Sequence, residues 1–414
     1  MISFNNFTNK FYIKSVKLNF SWRILIPAII IIIVSCFTLK YTNLDIYLFS
    51  SNFIRQLVWI VFGVIVFMVL QWFRLQFLHE YAYHFYFVLI LMIFSTFFMP
   101  IIGGSRRWIV LGNLSMQPSE IGKIIIVFTL ARFISDYHGK INDIKILFIS
   151  LALVILPSII IFQQPDFGTA IVYAFIVLPI LYYGGMSSFY LFSMIAPFIS
   201  IISAFDLTIF SIWMIIFVII IYLNRPKVFY GSINFLINVI CGALSPFIWN
   251  NILYDHQRNR ILTLLNPMRD PQGAGYQVIQ SMTAIGSGGF WGKGLGSGTQ
   301  TQLRFLPVRD TDFIISVIGE EMGLFGIIII LISFSMIFYW IISYAEAISN
   351  RFLALTLIGF ASILFIHLIV NMGMTVGLLP VTGLPVPFLS YGGSFLLTCF
   401  IILGFTNNII SQNL

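Results

Sequence analysis

Long apolar runs recur along the whole of this 414-residue chain. Ile24 to Leu39 and Ile327 to Ile342 each approach the length of about 20 residues that an α-helix needs to cross a bilayer core. Hydrophobic residues make up 59% of the sequence and charged residues only 9%, too few to cover a water-facing globule of this size. A membrane β-barrel would show short alternating strands instead. The sequence predicts an all-α, polytopic transmembrane helix bundle.

Glycine, proline and charged residues divide the apolar runs into predicted spans. The division is least certain between 188 and 250. An even number of spans would leave both termini on the same side of the membrane. The twelve predicted spans are 24–40, 54–72, 82–100, 119–135, 146–162, 169–184, 188–204, 208–223, 232–250, 318–342, 352–373 and 392–409.

Basic residues are concentrated in the short loops on the N-terminal side, which the positive-inside rule makes cytoplasmic. We therefore expect a multi-pass protein of the cytoplasmic membrane with both termini inside. The opposite face carries one large predicted extracytoplasmic loop, 251–312, within a single domain spanning 1–414. This loop is also basic, but it is long enough to be translocated regardless of charge. The basic residues of the short loops are Lys10, Lys14, Lys17, Arg23, Arg74, Arg132, Lys140, Lys145, Arg225, Lys227 and Arg351.

The formal net charge of +8 does not indicate nucleic-acid binding, because the cations are scattered among membrane loops. Anionic headgroups or an anionic lipid-borne substrate are better partners for them. The three cysteines, Cys36, Cys241 and Cys399, all lie in predicted spans. They form neither a disulfide framework nor a metal motif. In the long loop, many glycines are mixed with apolar residues, which predicts a compact and partly helical segment.

Asp312 lies where the long loop enters a predicted span. Partial desolvation at that depth would raise the pKa of its carboxyl toward the range of a general base. An aspartate at a helix N-terminus could equally cap the helix, and spacing alone slightly favours that interpretation. Lys293 and Arg304, in the same loop, are candidate contacts for an anionic substrate.

Glu120 and Lys123 are three residues apart and therefore share one face of a predicted helix. Ionisable groups at membrane depth usually mark a site or an ion pair, and substrate contact and a structural pair are about equally supported. Just before them, Arg106, Arg107 and Trp108 could hold a diphosphate and a sugar or lipid edge. Interfacial anchoring by arginine and tryptophan is the commoner use of such residues.

Asp166 lies in a connection between two spans that is too short for a free loop. It could orient Lys123 or an arginine, or it could cap the helix that begins near Gly168. Farther along, the proline-rich segment 380–388 is not helical in pattern, and 390–394 follow it. Irregular backbone near membrane depth needs protein or a cavity around it, so we expect this segment to form a cavity wall.

Five motifs, in order, resemble the SEDS family and its RodA branch in particular. GTQTQLRFLP is closer to RodA than to the cell-division relative FtsW. The resemblance covers most of the chain, and five ordered motifs are far more specific than one. The motifs are RRWIVLGNLSMQPSEIGK, QQPDFGTA, DPQGAGYQVIQSMTAIGSGGFWGKGLGSGTQTQL, FLPVRDTDFIISVIGEEMGLFG and GLLPVTGLPVPFLSYGGS.

The resemblance implies a peptidoglycan glycosyltransferase that polymerises lipid II outside the cytoplasmic membrane with a class B penicillin-binding protein and other elongation-complex membrane proteins. It also implies that Asp312 is the essential loop aspartate and Lys123 the essential lysine. Trp108, Glu120 and Asp166 match further positions of the family's motifs. A divalent cation such as Mg²⁺ or Mn²⁺ would serve as an alternative or supplement to the basic residues.

Two features depart from the family pattern. The family usually has glutamate and histidine before the loop aspartate, whereas this chain has Val308 and Asp310 in Pro307-Val308-Arg309-Asp310-Thr311-Asp312. The family also has ten spans, so an extra pair is predicted between Met186 and Trp249. A lipid-substrate transporter and a cell-shape scaffold are the alternative functions, because intramembrane charges and interrupted helices are common in transport pathways.

Overall fold

The computed structural model describes residues 19–42, 52–101, 104–111, 114–251, 258, 262–263, 266–271, 273, 275–303, 305–306 and 308–413. Short 3₁₀ helices occur at Thr96–Phe98, His138–Lys140 and Pro267–Arg269. The α-helices of this part are α1 (Trp22–Thr42), α2 (Asn52–Leu70), α3 (Leu75–Ser95), α4 (Pro118–Asp136), α5 (Ile144–Gln163), α6 (Phe167–Tyr183), α7 (Ser188–Ser203), α8 (Leu207–Asn224), α9 (Val228–Asn251), α10 (Tyr276–Gly288), α11 (Thr299–Gln302), α12 (Ile314–Glu321), α13 (Gly323–Ala347), α14 (Arg351–Thr375) and α15 (Gly393–Asn413).

A helix occupies each of the twelve predicted spans, so the all-α bundle is confirmed. Within the described part of the chain, nine helices are long and apolar enough to cross a membrane. The helices α6 and α7 are apolar but shorter, and α4 fills the remaining predicted span. The chain is therefore an integral membrane protein, while the exact number of crossings stays a prediction.

One predicted span, 318–342, is displaced by five residues, because the structure begins α13 at Gly323. Gly323 has a φ of +67°, which favours glycine and interrupts the helical path between α12 and α13. A Cβ at this position would lie 2.3 Å from the backbone nitrogen of Gly292. The close approach of the long loop thus separates α12 from α13, which hydropathy could not reveal.

The centre of the bundle is formed by α4, α6 and α14, which pack against one another. Over its most apolar 18 residues, α14 is 78% buried, whereas α8 is only 6% buried. A buried hydrogen bond of 2.6 Å from the Ser200 hydroxyl to the Asn238 side chain joins α7 to α9, and Trp213 of α8 donates to Ser200. The helices α7 to α9 therefore form a peripheral group whose apolar faces are available to lipid.

A short β-hairpin precedes α4 and was not predicted. Strand β1 (Ile109–Leu111) pairs antiparallel with β2 (Leu114–Met116), with Ile109 opposite Met116. The sequence does carry a hairpin signal, because Gly112-Asn113 separates the two strands. The hairpin joins Trp108 at one end to Gln117 and the start of α4 at the other.

The described part of the long loop contains α10 and α11, so the predicted partly helical segment is present. Its glycines allow close packing against the segment around Glu320. Lys293 donates its backbone N–H to the Glu320 carbonyl at 2.9 Å, and Gly294 donates to that of Glu321 at 3.0 Å. A Cβ at Gly288 would lie 1.9 Å from the Gly319 carbonyl oxygen. These glycines therefore allow the long loop to pack directly against the backbone around Glu320.

Candidate active site

A cavity of about 520 Å³ lies where α4 and α6 begin, beside the turn that carries Asp312. Polar, acidic and aromatic side chains share its wall, which is unusual in a chain with so few charges. The lining residues are Trp59, Arg107, Trp108, Ser115, Gln117, Glu120, Asp166, Thr169, Thr311, Asp312, Gly383, Leu384, Pro385, Tyr391, Gly392, Gly393, Ser394 and Phe395.

Asp312 lies in the turn before α12, and its carboxyl faces the cavity. The backbone carbonyls of Thr311 and Asp312 accept hydrogen bonds from side chains of α14 and of the segment before α15. Asn371 donates to the Asp312 carbonyl at 2.8 Å, and the Ser390 hydroxyl donates to the Thr311 carbonyl at 2.6 Å. The N-cap of α12 is Phe313, so Asp312 does not cap that helix. The turn is therefore fixed by its backbone, which leaves the carboxyl directed into the cavity.

The electrostatic surroundings of Asp312 suit a general base. Burial raises the pKa of its carboxyl above the ordinary aspartate value, and this effect outweighs the lowering by the Thr311 side chain and the Arg107 charge. A higher pKa makes a carboxylate a better proton acceptor near neutral pH. Since the side chain remains partly exposed to the cavity, a bound hydroxyl can reach it.

Arg309 and Asp310, three and two residues before Asp312, anchor the same turn. Arg309 donates to the Thr301 carbonyl and, at 2.8 Å, to that of Thr42. Asp310 accepts a hydrogen bond of 2.7 Å from the Asn52 side chain. Neither Arg309 nor Asp310 lines the cavity. In this chain, these two positions connect the Asp312 turn to α1, α2 and α11.

Asp166 satisfies both interpretations that the sequence left open. Its carboxylate accepts the backbone N–H of Thr169 at 3.3 Å and so caps α6. It also accepts a hydrogen bond of 2.6 Å from Gln117 and lies 3.7 Å from the Arg107 guanidinium. Asp166 therefore orients an arginine, and Lys123 has other partners. Arg107 and Trp108 both line the cavity.

Lys123 and Glu120 form a buried ion pair on the predicted face of α4. The Lys123 ammonium lies 2.9 and 2.8 Å from the two Glu120 oxygens and 2.9 Å from Nε2 of His367. Lys123 is fully buried, whereas Glu120 lines the cavity. The pair is thus both structural and part of the site, and contact of Lys123 with substrate stays a prediction.

Two other predicted contacts, Lys293 and Arg106, do not line this cavity. Lys293 lies 2.8 Å from Glu320 and supports the long loop. Arg106 is exposed and donates to the Phe97 carbonyl at 3.2 Å. Arg304 lies outside the described residues. The roles of Lys293, Arg106 and Arg304 as substrate contacts remain predictions.

The sequence analysis missed several residues of the site. Trp59 and Phe395 line the cavity, and His367 and Asn371 support it from α14. Polar residues inside an apolar span are expensive, so the pair on α14 carried a usable signal. Trp59 carried none, because apolar runs of this kind contain many aromatic residues. The cavity wall expected from the segment 380–388 is confirmed, since 383–385 line the cavity, and the first turn of α15 adds 393–395.

A family model for cell cycle proteins of the FtsW, RodA and SpoVE type matches residues 15–211 and 194–413. The chain belongs to this family. It is 35% identical over 347 residues to the peptidoglycan glycosyltransferase MrdB of Escherichia coli K12, covering 83% of this chain and 81% of that protein. It is 28% identical over 404 residues to the peptidoglycan glycosyltransferase RodA of Treponema pallidum, covering 90% and 92%.

Solved structures share the family fold. A chain from a peptidoglycan synthase complex that coordinates polymerization and crosslinking superposes with a TM-score of 0.71 at 24% identity, covering 96% of this chain and 99% of that one. The crystal structure of the rod shape determining protein RodA of Thermus thermophilus gives a TM-score of 0.63 at 22% identity, covering 96% and 98%. At these identities, the two structures establish the fold alone.

Proposed function

We propose that this chain polymerises lipid II, the lipid-linked cell-wall precursor, with Asp312 as the general base. The chain is a peptidoglycan glycosyltransferase of the SEDS family, as its curated relatives are. The observation that carries the proposed mechanism is the position of Asp312. A partly buried carboxyl with a raised pKa shares one cavity with the Arg107 guanidinium and several aromatic side chains.

In the proposed reaction, Asp312 accepts the proton of the acceptor sugar's 4-hydroxyl. The hydroxyl oxygen attacks the anomeric carbon of the donor chain, and the bond from that carbon to the diphosphate oxygen breaks. Undecaprenyl diphosphate leaves with the electron pair of that bond. A single displacement inverts the anomeric centre, so an α-linked donor yields a β-linked glycan without a covalent enzyme intermediate.

Arg107 supplies positive charge beside the diphosphate, on which negative charge grows as the bond to the leaving group breaks. A preorganised guanidinium stabilises growing negative charge without reorganising solvent, and its planar fork suits phosphate oxygens. Asp166 and Gln117 hold this part of the wall, which limits the conformations open to Arg107. Trp59 and Trp108 add apolar ring faces on which a sugar can pack.

A divalent cation is a further proposed component. It would supply charge to the diphosphate leaving group. In the described part of the chain, no group of three or more histidine, cysteine, aspartate or glutamate side chains is placed to hold a metal ion. Mg²⁺ commonly uses one or two carboxylates together with substrate phosphates, so such a group is not required. Asp312, Asp166 and Glu120 are the available carboxylates of the cavity wall.

The proposed location is the cytoplasmic membrane, with both termini inside and the cavity opening outward. Single cysteines at Ser297 and Asn350, in a chain cleared of its native cysteines, test this topology, since both positions are exposed. An impermeant maleimide should label position 297 in intact cells and leave position 350 unlabelled. Labelling of position 350 from outside would refute the orientation.

The proposed partner is a class B penicillin-binding protein, which would crosslink the strands that this chain makes, alongside other membrane proteins of the elongation complex. The complex to which one structural neighbour belongs coordinates those two activities. Co-purification of this chain with its class B partner from membranes tests the pairing. A chain that purifies without that partner under mild detergent would contradict it.

The proposed function is tested by adding lipid II to the purified chain in detergent. Because no membrane separates two compartments there, a transporter has nothing to transport. Glycan polymer formed by the purified chain supports the enzyme and excludes the transporter and the scaffold as complete accounts. Absence of polymer from a correctly folded chain with its partner would contradict the proposal.

A further inference from the structure

His367 is a fully buried residue of α14 that connects two walls of the cavity. Its Nδ1 lies 3.0 Å from the Pro385 carbonyl oxygen, and its Nε2 lies 2.9 Å from the Lys123 ammonium. A carbonyl oxygen only accepts hydrogen bonds, whereas an ammonium only donates them. The contacts therefore assign the neutral ring, with its proton on Nδ1 and a free electron pair on Nε2.

The Lys123 ammonium needs this electron pair. Its three protons have three acceptors, which are the two Glu120 oxygens and Nε2 of His367. The Phe395 ring stacks on the His367 imidazole with 4.4 Å between the ring centroids, and its centroid lies 5.2 Å from Nζ of Lys123. Without His367, one proton of a buried cation would face this apolar ring, and a buried unsatisfied donor is costly.

The same face of α14 also supports the turn of the base. Asn371 lies four residues after His367 and hence on the same side of the helix. Its amide donates to the Leu384 carbonyl at 2.7 Å and to the Asp312 carbonyl at 2.8 Å. One helix face thus holds the Asp312 turn, the wall at Leu384 and Pro385, and the buried ion pair of α4.

We propose that His367 is a positioning residue of the transferase. Its Nε2 holds the Lys123 ammonium against Glu120, and its Nδ1–H ties that pair to the Pro385 carbonyl in the cavity wall. The inference rests on the proposed function and on the expectation, which the family resemblance implies, that Lys123 is essential for it. His367 touches no substrate and acts through the charge that Glu120 presents to the cavity.

Two amide substitutions separate the contacts of the ring. In His367→Gln, the amide reaches the position of Nε2 and can accept from Lys123. In His367→Asn, the amide reaches only the position of Nδ1, so the contact with Pro385 survives and the one with Lys123 is lost. Turnover of lipid II by His367→Asn should fall at least about tenfold, because a hydrogen bond to a charged group is lost. His367→Gln should stay within about threefold of wild type.

Stability and coupling distinguish positioning from a merely structural role. His367→Asn should melt somewhat below His367→Gln, because it leaves one Lys123 proton without an acceptor, and its loss of turnover should persist at temperatures well below its melting transition. In a double-mutant cycle, His367→Asn should add little to the loss caused by Lys123→Met, because His367 acts through Lys123. His84→Asn, on an exposed histidine of α3, is the matched control and should retain wild-type turnover.

Equal turnover of the Gln and Asn variants would overturn the inference, as would additive losses in the double mutant. Should His367→Asn fail to accumulate in membranes, His367→Met provides a second comparison with His367→Gln, since methionine fills the space without accepting well from an ammonium. If Lys123→Met itself polymerises normally, the proposed part of Lys123 in the reaction fails. If it is inactive while the Gln and Asn variants agree, only the role of His367 fails.

Discussion

Two lysine–glutamate pairs with a buried glutamate occur in the described part of the chain, and they differ in what surrounds them. Lys123 and Glu120 lie three residues apart on α4, and their side chains are 0% and 6% exposed. Lys293 and Glu320 come from the long loop and α12, and their side chains are 27% and 0% exposed. The first pair adjoins the cavity through Glu120, whereas the second is surrounded by backbone of the long loop.

The hydrogen bonds of the two glutamates show the consequence of this difference. Glu320 accepts five hydrogen bonds, from the Lys293 ammonium, the Thr299 hydroxyl, the Gln300 backbone N–H, and the backbone N–H and hydroxyl of Thr301. All five of these donors belong to the long loop, so the carboxylate stabilises the folded loop. Glu120 accepts from Lys123 and still lines the cavity, so its charge is available to the site. Ion pairs of the same type therefore support function or folding according to their neighbours.

Of the two pairs, breaking Lys123–Glu120 should give the larger loss of lipid II turnover. Lys123→Met should lower lipid II turnover by the order of 10²-fold, the size typical of losing one preorganised charge near reacting groups. The chain should still insert, because α4 remains apolar. Turnover by purified protein, measured beside the melting temperature in detergent, checks this. Normal polymerisation with a lowered melting temperature would make the pair purely structural.

Breaking the Lys293–Glu320 pair should lower the stability of the long loop more than it lowers lipid II turnover. Glu320→Gln should destabilise the long loop by about 1–3 kcal/mol, since it removes the charge that Lys293 pairs with and weakens several hydrogen bonds to loop backbone. Limited proteolysis should then cut the loop faster, and lipid II turnover should fall less than in Lys123→Met. Lys293→Met is the matched partner variant and should show the same pattern. A loss of turnover without faster proteolysis would place Lys293 among the substrate contacts instead.

The neighbouring Glu321 should give a smaller, pH-dependent effect. Burial, assisted by the charge of Glu320, raises the pKa of its carboxyl from an ordinary 4.5 to about 7. Between those two pH values the folded chain binds more protons than the unfolded chain, so stability falls as pH rises and stays lower above pH 7. Glu321→Gln removes this cost and should raise the melting temperature by a few degrees at pH 8.

The control for this prediction is the same measurement at pH 4.5. There the two proteins should differ little, because Glu321 is largely protonated in the folded wild type. A stabilisation by Glu321→Gln that is equal at both pH values would show that packing, and not ionisation, is responsible.

Local periodicity predicted the helices and the shared face of Glu120 and Lys123 correctly, because both depend on nearby residues. It could not predict that His367, 244 residues away, completes the Lys123 contacts. Nor could it distinguish Lys293 from a substrate contact, since a basic loop residue has the same sequence pattern in both roles. For Asp166, the sequence offered two interpretations and the structure combines them.

Both the sequence and the structure bear on whether Asp312 is the base. Spacing alone slightly favoured Asp312 as a helix cap, because an acidic residue before a helix is common. The structure places its carboxyl in the cavity and gives the cap position to Phe313. Asp310, two residues earlier, is the alternative base, and it is directed toward Asn52. The choice between these two carboxylates is therefore the central claim.

Polymerisation of lipid II by purified Asp312→Asn and Asp310→Asn tests this claim most directly. The amide at 312 keeps the shape of the side chain but cannot accept a proton at neutral pH, so turnover should fall by at least about 10²–10⁴-fold. Both variants should remain monodisperse in detergent and bind the class B penicillin-binding partner, and Asp310→Asn should retain much more activity. Near-wild-type polymerisation by Asp312→Asn, or an inactive Asp310→Asn beside an active Asp312→Asn, would contradict the assignment of Asp312 as the base.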